Sequence, residues 1–156
     1  MHNFTYYNPV NVLFGKGQIQ ELSQLIPANT KILLAYGGGS IKSNGVYQQV
    51  IDTLKNQQII EFSGIEANPD YDTLMRAVKI CQTEKIELIL AVGGGSIIDG
   101  CKFIALAAHY QGDPWEILTN PTYQADKAIT LGVVQTLPAT GSEMNSGAVI
   151  SRRSIG

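Results

Sequence analysis

Leu88-Ile89-Leu90-Ala91-Val92-Gly93-Gly94-Gly95-Ser96-Ile97-Ile98-Asp99 decides how the rest of the chain is read. The apolar run from Leu88 to Val92 has the length of a strand covered on both faces. Three glycines leave it, and from Ser96 a helical pattern runs through Lys102, Phe103, Leu106 and Ala107. The stretch is a strand, a tight turn and a helix start. Backbone amides without side chains, at the partly positive end of a helix, make a seat for an anion and most often for a phosphate. A second reading stands beside it, because Ser96 and Asp99 are also spaced as a capping box. A cap needs one serine and one carboxylate, whereas three glycines cost chain entropy that a cap does not require, so the phosphate seat is the preferred reading. The dinucleotide spacing G-x-G-x-x-G is absent.

The same theme occurs once before. Lys31 to Tyr36 is a buried strand, Gly37-Gly38-Gly39-Ser40 follows it, and Val46, Val50, Ile51 and Leu54 continue at helical spacing. Two copies about fifty residues apart suggest two mononucleotide-type β-α-β units and not a solenoid. Ile59 to Phe62 reads as a third strand. Its exit loop reaches Asn68-Pro69, with Asn68 expected to be extended because proline follows it. Asp70 or Asp72 can cap the next helix, which carries Leu74, Met75, Ala77, Val78 and Cys81 to Lys85. Ile129 to Gln135 reads as a fifth, central strand, and Ala148 to Ser151 as one more. The loop Thr136-Leu137-Pro138-Ala139-Thr140-Gly141-Ser142-Glu143 is rich in small hydroxyl residues, which suit ribose and phosphate oxygens and suit an ordinary loop equally well.

Upstream, Phe4 to Tyr7 and Val10 to Phe14 are β-prone pieces around Asn8-Pro9, and a helix follows through Ile19, Leu22 and Leu25. This aromatic strand pair needs a neighbour, either within the domain or at a sheet edge in a second subunit. The expected fold is α/β: a Rossmann-like, mostly parallel sheet flanked by helices, with an N-terminal β-strand pair, in one domain over residues 1–156.

Composition narrows the function classes. With 44% hydrophobic and 15% charged residues the chain is of globular type, and its net charge of -2 offers no basic footprint for nucleic acid and no polybasic membrane patch. No apolar run approaches the ~20 residues that span a bilayer, and the first ten residues lack a signal-peptide pattern, so the expected compartment is the cytoplasm. Cys81 and Cys101 fall on apolar helix faces and read as small buried hydrophobes; His2 and His109 are isolated and make no metal site.

Four motifs in order carry a resemblance. Val12-Leu13-Phe14-Gly15-Lys16-Gly17, Tyr36-Gly37-Gly38-Gly39-Ser40, Gly93-Gly94-Gly95-Ser96-Ile97-Ile98-Asp99 and Thr136 to Glu143 resemble the iron-containing alcohol dehydrogenase family, within it the NADPH-dependent aldehyde reductase and butanol dehydrogenase branch. The resemblance runs along the whole chain. It implies a homodimeric enzyme that moves a hydride between a nicotinamide dinucleotide and a small alcohol or aldehyde, with an α/β cofactor domain followed by an all-helical domain. The latter would hold one divalent ion, Fe or Zn, through an Asp and three His.

Carried over, Gly94, Gly95 and Ser96 would lie along the pyrophosphate, with Asp99 toward the nicotinamide end. Thr136, Thr140, Ser142 and Asn145 would line the cleft, Asn68 and Pro69 would sit beside the adenosine, and Gly38, Gly39 and Ser40 at its ribose. NAD-preferring relatives place an Asp in that last loop; here Gly-Gly-Ser with Lys42 close behind favours NADP(H) over NAD(H). Such enzymes are more than twice as long, and the helical domain with its metal ligands is absent from these residues. No residue here is assigned to catalysis or to metal binding, and the isolated chain is expected to bind cofactor weakly at best and not to turn over. The alternatives are a free-standing nucleotide-binding or dimerising module, and a glycerol dehydrogenase-like relative, against which Gly95-Ser96 and Thr140 to Glu143 argue.

Overall fold

A computed structural model describes residues 3–5 and 7–155. Four strands, β1 (Lys31–Tyr36), β2 (Gln58–Phe62), β3 (Leu88–Gly93) and β4 (Thr130–Gln135), form one parallel sheet in the order β2-β1-β3-β4. Ile32 lies opposite Leu88 and Tyr36 opposite Val92, while Leu88 to Gly93 run beside Thr130 to Gln135. All four strands therefore end along one edge.

The two apolar runs are central strands buried on both faces, which explains why they do not alternate with polar residues. Leu33, Ala35, Ile89 and Ala91 point to one core, and Ile32, Leu34, Tyr36, Leu90 and Val92 to the other. A short 3-10 turn (Gln18–Glu21) and α1 (Leu22–Leu25) precede the sheet. Helices α2 (Ser40–Ser43) and α3 (Val46–Thr53) connect β1 to β2. On the opposite face, α4 (Tyr71–Glu84) connects β2 to β3, and α5 (Gly95–Ala107) with α6 (Glu116–Thr119) leads from β3 to β4. Ile41, Val50 and Leu54 fill the first face, and Leu74, Val78, Ile98, Phe103 and Ile104 the second. No helix among the described residues is long and apolar enough to cross a membrane.

Several sequence expectations need correction. The N-terminal β-strand pair does not form: the described residues between 3 and 14 contain no strand, and Phe4, Tyr7 and Phe14 are 82%, 84% and 97% exposed. Asn8 bends this segment, accepting from the Val10 amide at 3.0 Å and donating to the Met144 carbonyl at 2.9 Å, while Pro9 has no amide to give a ladder. Tyr6, within the first of those pieces, and His2 lie outside the described residues. The strand after Ile129 is the fourth and an edge, not a fifth and central one. Ala148 to Ser151 forms no strand; only Ser151 bridges to Asp70. Cys81 and Cys101 are buried free thiols. Burial pushes the Cys81 thiol up to about 12 and that of Cys101 further, which keeps both unreactive.

Candidate functional site

The order β2-β1-β3-β4 reverses direction between β1 and β3, since the chain leaves β1 toward β2 and leaves β3 toward β4. Open α/β sheets take ligands in the crevice beyond the strand ends at such a point. Here the two turns that flank it are Gly37 to Gly39 and Gly94 to Ser96, the two glycine-serine stretches of the sequence.

The second turn opens the 13-residue helix α5, and the amides of Gly95 and Ser96 meet no acceptor among the described residues. Its helix is not capped by a side chain, so the capping-box reading is overturned. The Ser96 hydroxyl instead accepts from the Asn68 amide at 3.4 Å, and Asp99 has turned away to accept from the Val149 amide at 3.1 Å. A Cβ on Gly95 would stand 2.4 Å from Thr140 Oγ1, so the hydroxyl loop after β4 presses directly against this turn. In the first turn, by contrast, a Cβ on Gly38 or Gly39 would meet nothing within 4 Å, and Gly39 holds a φ of 100° that favours glycine. One side of the crevice is closed by contact and the other is open.

Of the residues expected to line the cleft, Asn68, Ser96, Gly94, Gly95 and Thr140 come together. Thr140 and Ser142 share a hydrogen bond of 2.7 Å, with Ser142 buried, and the Thr136 amide donates to the Gly93 carbonyl at 3.0 Å. Asn68 is not extended as expected: its φ is 57°, held by Ser96 on one side and by Arg153, which donates to the Asn68 carbonyl at 3.1 Å. Asparagine is one of the few side chains that tolerates this region. Pro69 next to it is buried, and its carbonyl accepts from the Ser151 amide at 2.9 Å. Gly38 and Ser40 lie exposed at the other rim.

Two residues passed over in the sequence support the site. Lys102 sits one turn along α5 from Asp99, 3.6 Å from its Oδ1, and donates to Asn145 Oδ1 at 3.1 Å and to the Gly147 carbonyl at 2.7 Å. Asn145 is thereby turned to support the loop. Asp99 Oδ1, though buried, receives no hydrogen bond among the described residues and faces the Lys102 ammonium 3.6 Å away. Only the three-residue spacing of Asp99 and Lys102 hinted at this pair. Arg153 also donates to Asp70 Oδ2 at 3.1 Å, and the other oxygen of Asp70 caps α4 through the Asp72 amide. Of the two candidates for that cap, Asp70 fills it.

At the open rim, Glu61 at the end of β2 accepts from the hydroxyls of Tyr36 and Tyr47, both at 2.6 Å, and Lys42 Nζ lies 3.7 Å from it. The Tyr36 hydroxyl first, and the Tyr47 hydroxyl with it, hold the Glu61 carboxyl below the usual carboxylate range. An open depression of about 610 Å³ borders this cluster along the outer side of β2, lined by Tyr47, Ile51, Lys55, Ile59 and Glu61; none of the residues that line it belongs to the glycine turns.

A doubly wound parallel sheet with two glycine turns at its reversal point defines a class of α/β proteins that take ligands at the strand ends. Within that class the chain belongs to the iron-containing alcohol dehydrogenase family, whose model matches residues 9–155. It is 52% identical to the NADPH-dependent aldehyde reductase YqhD of Escherichia coli strain K12 over 158 aligned positions, covering 100% of this chain and 41% of that protein. Against the probable NADH-dependent butanol dehydrogenase 1 of Bacillus subtilis strain 168 the identity is 48%, over 97% of this chain and 40% of the relative. The crystal structure of Escherichia coli K-12 YqhD superposes with a TM-score of 0.93 at 52% identity, covering 98% of this chain and 40% of that one. The chain thus spans about two fifths of the length of these relatives.

The family's name implies iron. Among the described residues no three His, Cys, Asp or Glu side chains gather closely enough to hold an ion, so these residues do not fit that metal. A dinucleotide fits better: unpaired amides lie at the head of α5, and the turn at Gly38 and Gly39 stands open.

Proposed function

We propose that residues 1–156 are an NAD(P)-binding α/β domain, the cofactor half of a metal-dependent alcohol dehydrogenase or aldehyde reductase. The complete enzyme would be a cytoplasmic homodimer that moves a hydride between NADP(H) and a small alcohol or aldehyde. When bound, the nicotinamide supplies the hydride; this chain's residues bind and orient it. Gly94, Gly95 and Ser96 offer amides to the pyrophosphate, Asn68 and Pro69 border the adenosine, and Asp99 lies toward the nicotinamide. Thr136, Thr140, Ser142 and Asn145 form the cleft wall that presses on Gly95. One observation carries the reading: the free amides of Gly95 and Ser96 stand at the sheet's reversal point, beside an open glycine turn.

The preference for NADP(H) rests on that open turn. Gly38, Gly39 and Ser40 present amides and a hydroxyl without a carboxylate, and Lys42 supplies a cation nearby, which suits a 2′-phosphate better than a bare ribose hydroxyl. YqhD is named for NADPH and the Bacillus subtilis relative for NADH, so both cofactors are the ones to compare. Calorimetric titration of the chain should show tighter binding of NADPH than of NADH. Gly38→Asp places a carboxylate in open space without backbone strain, and should weaken NADPH by about tenfold while changing NADH by less than about twofold. Binding of neither cofactor by the folded chain, or tighter binding of NADH, overturns the proposal. The chain alone is expected not to oxidise NADPH in the presence of butanal.

A further inference from the structure

Asn68 holds a backbone that its own sequence works against. Its φ of 57° is left-handed, which is costly for a residue with a side chain, and the proline that follows pushes its predecessor toward extended backbone. Such a conformation persists only where neighbouring contacts fix it. Three successive positions of this loop are fixed by residues 151–153. The Ser151 amide donates to the Pro69 carbonyl at 2.9 Å, and the Arg153 amide to Asp70 Oδ2 at 3.3 Å. The Arg153 guanidinium spans the loop, one nitrogen donating to the Asn68 carbonyl and the other to Asp70 Oδ2, each at 3.1 Å. From this held position the Asn68 amide donates to Ser96 Oγ at 3.4 Å, in the glycine turn that opens α5. That bond has a direction. A serine hydroxyl has one proton to give, and an oxygen that accepts from an amide turns its proton elsewhere. The Ser96 amide meets no acceptor among the described residues, so amide and hydroxyl are both left as donors in the crevice.

We propose that Arg153 is a positioning residue for the dinucleotide. By holding Asn68 left-handed it keeps the Asn68 amide on Ser96 Oγ, and so aims the Ser96 hydroxyl proton at a pyrophosphate oxygen. Arg153 itself touches no cofactor. The fork suits the task, because one planar guanidinium reaches a carbonyl and a carboxylate together, whereas a lysine ammonium is a single point charge. The inference rests on the pyrophosphate reading of Gly94 to Ser96, and is independent of the choice between NADPH and NADH.

With 56% of its side chain exposed, Arg153 can be replaced without opening the core. Calorimetric titration with NADPH, and with NADH as a second probe, should show Arg153→Ala weakening both by about three- to tenfold, the worth of one hydrogen bond. Arg153→Lys keeps the charge and should not restore the affinity. In the Ser96→Ala background Arg153→Ala should have no further effect, because the hydroxyl it aims is gone; a general loosening of the segment, or a lost charge near an anion, persists there. Hydrogen exchange at the Asn68 amide of the cofactor-free chain should be about tenfold faster in Arg153→Ala, with protection at Leu90 unchanged, which reads the hold without a ligand and shows the variant to be folded. Unchanged exchange at Asn68 overturns the inference whatever the cofactor does. If the native chain binds and Arg153→Ala leaves both affinities as they were, or Arg153→Lys restores them, or the loss persists in Ser96→Ala, the positioning role is overturned and the dinucleotide reading survives. If the folded native chain binds neither cofactor, the reading falls and the inference with it.

Discussion

The carboxyl of Glu61 is held in its ionised form by hydrogen bonds from Tyr36 and Tyr47, and the sign of its effect on stability follows. Its folded pKa lies below the unfolded one, so its contribution is present at neutral pH and is lost as pH falls through the folded value. The melting temperature of Glu61→Gln should therefore lie slightly below that of the native chain at pH 7, and the two should converge only as pH drops below the usual carboxylate range. Because the carboxylate is largely exposed, the gap is expected to be small. Glu61 also marks where the sequence stops being informative at this scale. The turns at Gly38, Gly39, Gly95 and Ser96 could be read directly, since glycines after an apolar run mark where a buried strand ends. The partners of Glu61 could not, because Tyr36, Lys42 and Tyr47 each look like ordinary strand or helix residues until β1, α2 and α3 are folded against β2.

Helix α4 begins at a residue with two duties. Asp70 gives one oxygen to the Asp72 amide as the N-cap and the other to Arg153. Asp70→Ala should cost about 1–2 kcal/mol, the range for losing such a cap, whereas Asp70→Asn retains a capping oxygen and should cost less than half as much. Urea denaturation of the two variants checks the order. A cap at Asp70 or Asp72 was legible ahead of the apolar periodicity of Leu74 to Cys81, and the structure chooses Asp70. That the described residues of Phe4 to Phe14 form no strand pair was not, because β-propensity says only that these residues suit a pleated surface and not that they will join one. Likewise, apolar content in Ala148 to Ser151 suggested a strand where the backbone makes a single bridge.

Across the whole molecule, the parallel sheet, its helices on both faces and the crevice at its reversal point were readable from two glycine-serine turns. The contacts that complete the crevice were not. Lys102 reaches Asn145 across 43 residues and Arg153 reaches Asp70 across 83, and no local pattern records such separations. The tail is fastened further by Arg152, which stacks 4.4 Å over the Tyr71 ring, and by the Tyr71 amide, which donates to the Ser151 carbonyl at 2.7 Å. Arg153→Ala should therefore raise hydrogen exchange at the Tyr71 and Ser151 amides by about tenfold. Protection at Leu33 and Leu90 in the central strands should be unchanged, since local opening need not cross the sheet. Equal loss in both places would show that the tail is part of the sheet's own cooperative unit.

The clasp between Arg153 and the segment from Asn68 to Asp70 also imposes an order in time. A ribosome delivers the chain from its N-terminus, so all four strands and both glycine turns emerge before Arg153 does. Until then Asn68 lacks one of the two contacts that hold its left-handed backbone, and that side of the crevice has a loose rim. The nascent chain can assemble its sheet early, yet a finished binding edge awaits the last few residues of this stretch.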